Sequence, residues 1–149
     1  MLMSKKEQAQ KVIQSHVLWS LVAGALPVPF LDIAGVTFIQ MDMFKQISKI
    51  YKADFDLNKG KALITSFVTS TMAGTLTIGP SLFKTIKKPA SIVSNAVFQA
   101  AITYALGYLF LNAYDEGKCF FDLGLADATE LFEEAFEKGK EYVKALSKN

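Results

Sequence analysis

His16 and Cys119 are the one histidine and the one cysteine of the chain, and their spacing offers no chemistry that needs the two together. A thiolate–imidazole pair requires hydrogen-bond contact, and more than a hundred residues separate them. His16 has no acid, cysteine or second histidine one helical turn away, so it lacks the neighbours a metal ligand needs on its helix face. It reads as a structural or interfacial histidine. Cys119 has no adjacent base and reads as inert, and a lone cysteine forms neither an internal disulfide nor a thiolate cluster. Glu130, Glu133, Glu134 and Glu137 are closely spaced carboxylates, but on a helix they read as a solvated face. The chain carries no P-loop or dinucleotide-type glycine loop, no H-E-x-x-H and no nucleophile elbow. The expectation is a protein that is not an enzyme and needs no cofactor or metal.

Two other polar residues fall inside apolar sequence. Asp32 is the single acid between Glu7 and Asp42. A buried or intramembrane carboxylate is by default a functional candidate, whereas just after Pro29 the same residue serves as a helix N-cap. Gln40 lies in an apolar stripe and reads as an amide satisfied between packed helices.

The elements that must position these residues are helices throughout. The first runs from about Lys5 to Ala25 and ends at Pro27 and Pro29, which lack the N–H a helix needs. With Asp32 as cap, the second spans Ile33 to about Tyr51. Val36, Gln40, Phe44, Ile47 and Tyr51 share one side of it, and Asp42, Lys45, Lys49 and Lys52 the other. Asp54 to Asn58 reads as a turn carrying a cap. The third helix runs from about Leu57 to Ile78, before Gly79-Pro80. Pro89 opens the fourth, which continues to Tyr114. Asp115 to Gly124 form a connector, and Asp127-x-x-Glu130 resembles a capping box for an amphipathic last helix from Ala128 to Ser147. The fold class expected is all-α, about five helices, with a central hydrophobic helical hairpin. Residues 1–149 form a single domain: a hydrophobic core over 1–126 and an acidic amphipathic C-terminal helix over 127–149.

Composition points to membranes or partner helices. Of 149 residues, 51% are hydrophobic and 20% charged, and the mean hydropathy is +0.26. Disorder requires the opposite balance. Residues 62–83 and 90–114 are uncharged, each long enough to cross a hydrocarbon core of about 30 Å. Residues 1–114 carry a net +6 and residues 115–149 a net −4, all the cations being lysine. Without arginine, specific reading of nucleic acid is not expected, while lysines beside apolar helices suit anionic lipid or simply keep helix ends soluble. No small-residue cleavage site follows Lys5-Lys6, so the expected location is the cytoplasmic side of a membrane, inserted or peripheral.

Ala62, Ser66, Ser70 and Gly74 place a small residue on every turn of the third helix, the packing mode favoured between helices in lipid. Ala96 and Ala100 offer a complementary strip. This pattern suits a homo-oligomer or any tight helical hairpin. Against a simple span stand the many hydroxyls of the third segment and Ser91, Ser94, Asn95, Gln99 and Asn112 of the fourth. Lysines on both sides of the third segment leave topology open.

Two stretches together resemble a known family. One is Gly24-Ala-Leu-Pro27-Val-Pro29-x-x-Asp32-x-x-Gly35 with Gln40-x-x-Met43, Ile47 and Tyr51. The other is Thr103-Tyr104-Ala-Leu-Gly107 with Phe110, Glu116-Gly117 and Phe121-Asp122. They are similar to the YcjF-like group, domain of unknown function 697, over residues 9–140. Lys52 stands where that family usually has glycine, and Lys118 where a second glycine is common. The resemblance implies a membrane-associated helical protein of a kind found alone or fused to GTPase domains, so membrane lipid, a helical partner or a GTPase are the partners it suggests. It implies no activity. The alternative is a soluble helical interaction domain whose apolar helices bury one another.

Overall fold

The computed structural model describes residues 2–24, 29–73, 92–118 and 125–147, with side chains at 24, 29–36, 66–73, 92–95, 125–127, 129 and 147 outside the description. Over these residues the protein is all-α: α1 (Lys5–Gly24), α2 (Pro29–Ile50), α3 (Leu57–Ala73), α4 (Ile92–Asp115) and α5 (Leu125–Ser147).

Each helix end has a local cause. Ser4 caps α1 in a reciprocal box: the Glu7 amide donates to Ser4 Oγ at 3.2 Å, and the Ser4 amide to Glu7 Oε2 at 2.8 Å. That bond, above all, holds the Glu7 carboxyl below its ordinary pKa. Asp56 caps α3, its Oδ1 accepting from the amides of Asn58 at 2.9 Å and Lys59 at 3.1 Å, as the turn at 54–58 implies. Two expected starts are corrected. Helix α2 begins at Pro29, whose fixed φ and missing N–H suit the first helical position, so Asp32 lies inside the first turn rather than capping it. Helix α5 begins at Leu125, two residues before Asp127, which is therefore helical and not the expected cap; an acid there still complements the positive helix end.

The C-termini of α2 and α4 close alike. Gly117, at φ 76°, follows α4; its amide donates to the Tyr114 carbonyl, and the Lys118 amide to that of Ala113. This is a Schellman closure, which favours glycine at the left-handed position. Lys52 occupies the same position after α2 at φ 53°, with Lys52 N–H on Lys49 and Ala53 N–H on Ser48. The position where the resemblance implies glycine thus keeps that closure with lysine.

Helix α4 is the centre. Along it Ala96, Ala100, Ala101, Ala105, Leu106, Phe110 and Leu111 are buried, and α1, α5 and α2 pack around it. Contacts of Ser20 with Thr103 and Lys6 with Asp115 make α1 antiparallel to α4, while Gln40 with Thr103 and Ser48 with Tyr114 make α2 parallel to it. Phe44 stacks on Phe110 with centroids 4.2 Å apart, and Phe55 meets both rings edge-on. Helix α5 buries Phe132, Phe136 and Val143, the amphipathic pattern read from its sequence, and approaches α4 at Gly139, where a Cβ would lie 3.0 Å from the Ala101 carbonyl oxygen. Helix α3 packs on α2, with Ile64 buried and Gly60 set close to Phe55 and Met41. The turn of the expected hairpin between α3 and α4 lies outside the described residues.

Among the described residues one helix is long and apolar enough to cross a membrane, Ala96–Asp115 within α4, and 78% of its 18-residue apolar window is buried inside the bundle.

Candidate functional site

Helices α1, α2 and α4 meet along a seam of polar side chains set into the apolar core. At its inner end Thr103 is fully buried. Its hydroxyl donates to the Gln99 carbonyl at 3.1 Å, the usual way a helical threonine satisfies its proton. With that proton committed, the oxygen accepts from Ser20 Oγ at 2.7 Å and Gln40 Nε2 at 3.0 Å, which fills both lone pairs. Ser20 and Gln40 are as deeply buried. Gln40 Oε1 has no hydrogen-bond partner among the described residues, so the expected satisfaction of Gln40 is met at the amide nitrogen only.

Nearer the surface, buried His16 bridges α1 and α2. Its Nδ1 lies 2.7 Å from the Val12 carbonyl oxygen and its Nε2 2.8 Å from Asp42 Oδ2. Each ring nitrogen thus faces an oxygen, one on its own helix and one on α2, with Ser15 Oγ also 3.4 Å from Nδ1. Gln46 Nε2 donates to the same Asp42 oxygen at 2.7 Å. The hydrogen bond from His16 is the chief reason the Asp42 carboxyl sits below its ordinary pKa. His16 is interfacial as expected; its acidic partner, 26 residues away, was not evident from local spacing.

Four of the motif residues, Gln40, Met43, Thr103 and Gly107, meet in this region. Gln40 pairs with Thr103. Met43 Sδ and Ile13 Cγ1 would lie 3.0 and 2.8 Å from a Cβ at Gly107, so that glycine admits α1 and α2 onto α4. Tyr51 stacks on Tyr114 at 5.6 Å; burial, with Asp115 beside it, raises the Tyr51 pKa. Tyr104 faces the other way, against Tyr108 and Tyr142, where burial pushes the Tyr108 phenol up to about 12. Beside these rings a cleft of 330 Å³ opens between α4, α5 and the start of α1. Gly117 closes α4. Gly24 ends α1 and Pro29 starts α2. Pro27, Gly74 and Cys119 lie outside the described residues, as do the side chains of Asp32, Ser66 and Ser70. Ala62, first of the small-residue strip, is exposed, while Ala96 and Ala100 are buried. Gly139 and Asp42 were missed, since neither stands in a local pattern.

The surface has its own feature. Leu18, Trp19 and Val22 project from one face of α1 within little more than a turn, with Trp19 64% exposed, and Phe38 of α2 is 76% exposed. Among the described residues no group of three or more His, Cys, Asp or Glu side chains could hold a metal ion.

Comparison with known proteins bears on the motif residues. The chain is 32% identical over 138 residues to "Magnetosome membrane protein 22" of Magnetospirillum gryphiswaldense, covering 89% of this chain and 70% of that protein. No solved structure matches it. The family described as "Domain of unknown function (DUF697)" matches residues 1–141, the span in which the Gln40–Thr103 and Met43–Gly107 contacts are made, and the chain belongs to that family.

Proposed function

We propose that this protein is a non-enzymatic, membrane-associated helical module that docks on the cytoplasmic face of a bilayer. The observation that carries the reading is the exposed Leu18–Trp19–Val22 patch on α1, in a chain similar to a protein named as a magnetosome membrane protein. Large apolar side chains clustered in water mark surfaces that meet lipid or protein, and tryptophan in particular favours the membrane interface. Docking is favoured over spanning because α4, the apolar helix of spanning length, is already enclosed by its neighbours. In this reading the outer face of α5, with Glu130, Glu134 and Glu137 exposed, stays in water to receive a helical protein partner, a GTPase being the class the family suggests.

Trp19 is the only tryptophan, so its emission reports the patch alone. On adding vesicles of phosphatidylcholine and phosphatidylglycerol, the emission shifts to the blue and brominated acyl chains quench it. Trp19→Ser/Val22→Ser lowers partitioning about tenfold or more, each large apolar side chain being worth roughly 1.5–3 kcal/mol when fully buried. Unchanged emission, with the protein left in the supernatant, overturns the reading. The enclosed α4 favours a second one, a soluble interaction domain whose α1 patch meets protein; the same negative result supports it.

A further inference from the structure

We infer that the groove between α2 and α3 is a lipid-binding site that takes the phosphate headgroup and one acyl chain of an anionic phospholipid. The inference rests on the membrane reading and specifies the lipid class. The groove is open to solvent and holds a volume of about 540 Å³, within the range of roughly 300–1,000 Å³ typical of small-molecule sites. Phe38, Met41 and Leu57 give it apolar walls, and Lys45 and Lys61 stand among the same lining residues. Phe38 and Leu57 are both more than half exposed, an unfavourable state for large apolar side chains that an acyl chain would relieve.

Charge decides which amphiphile fits. Lys45 and Lys61 are exposed, and neither forms an ion pair among the described residues. The one carboxylate in the lining, Asp42, already accepts from His16 and Gln46 on a single oxygen. The groove therefore offers two exposed ammonium groups against one carboxylate beside an apolar slot, Lys45 also interacting electrostatically with Asp42, and lysine ammonium serves phosphate as a compact, freely rotating charge. A neutral hydrocarbon would leave those charges unused, and a cationic amphiphile would be repelled.

The test is flotation of the full chain with vesicles of phosphatidylcholine alone and of phosphatidylcholine containing phosphatidylglycerol. A Leu57→Trp reporter in a Trp19→Phe background reads groove occupancy through quenching by brominated phosphatidylglycerol. The expected result is binding that rises with phosphatidylglycerol, weakens with salt, and quenches the reporter. Lys45→Gln/Lys61→Gln should lower affinity for the anionic vesicles about fivefold per lysine, roughly 25-fold together. The control pair Lys118→Gln/Lys138→Gln should change it much less. Equal binding to both vesicle types, or an unaffected Lys45/Lys61 variant, overturns the groove assignment and leaves membrane docking standing. Binding to neither overturns both. A concentration-dependent dimer that Leu57→Lys abolishes would assign the groove to a second copy of the chain and overturn the lipid assignment.

Discussion

Gln40 and Thr103, 63 residues apart in sequence, meet at 3.0 Å inside the bundle, and their hydrogen bond ties the two family-motif segments together. The bond is lopsided. Thr103 uses its proton and both lone pairs, whereas Gln40 leaves its Oε1 without a partner among the described residues.

This asymmetry predicts opposite responses to two conservative substitutions. Thr103→Val keeps the shape but strands the Ser20 hydroxyl and the Gln40 amide in the core, at about 2–6 kcal/mol, since each orphaned buried group costs about 1–3 kcal/mol. Gln40→Met removes one hydrogen bond and one uncompensated carbonyl together, so it should fall within about 1 kcal/mol of wild type. Urea unfolding measures both. A Gln40→Met loss as large as that of Thr103→Val would show that Oε1 has a partner in the working protein.

Gly107 should resist enlargement for a packing reason. Alanine would gain about 1 kcal/mol of helix propensity, but its Cβ would meet Ile13 Cγ1 at 2.8 Å and Met43 Sδ at 3.0 Å. Overpacking of this kind costs about 1–3 kcal/mol. A net loss of about 1 kcal/mol in Gly107→Ala, with a Gly107→Ala/Ile13→Ala loss smaller than the sum of the two single losses because Ile13→Ala removes the clashing Cγ1 and Cγ2, is the expected double-mutant cycle. Additive losses would place the strain elsewhere.

Lys52 holds a left-handed backbone at φ 53° in a closure that glycine fits better. Lys52→Gly should stabilise the protein by about 0.5–1 kcal/mol, the relief of the left-handed cost less the extra entropy of an unfolded glycine. Lys52→Ala removes the same charge but keeps the Cβ, so its thermal midpoint should stay near wild type. Equal gains from both would point to charge instead.

The readable part of this protein was the local part. The apolar stripe of α2, the Asp56 turn, the uncharged run of α4 and the amphipathic α5 each follow from the period of side chains along one helix. What the period does not carry is which helix faces which. Gln40, Met43, Thr103 and Gly107 stood out as motif residues, yet their pairing across α2 and α4 depends on a parallel arrangement that no short segment encodes. His16 looked isolated because its acid comes from another helix. Helix starts were misplaced at Asp32 and Asp127 because a capping residue type is equally at home in a first turn, where the helix dipole favours an acid.

Asp42 gives the seam a pH dependence whose sign follows from its surroundings. The hydrogen bond from His16, then that from Gln46, lower its pKa from 3.8 in the folded protein. A depressed carboxyl pKa means the folded state prefers the ionised form, so its contribution is present above about pH 4, the unfolded aspartate value. It is lost as pH falls through the lower folded value, where both states are protonated. Asp42 is half exposed, so solvent keeps the effect modest. The measurement is the difference in urea midpoint between wild type and Asp42→Asn across the acid range. That difference should hold steady from pH 5 down to about 4 and then shrink, because protonation makes the two side chains electrostatically alike. A gap that stays constant to pH 2 would mean that Asp42 stabilises the seam by shape and neutral hydrogen bonding rather than by its charge.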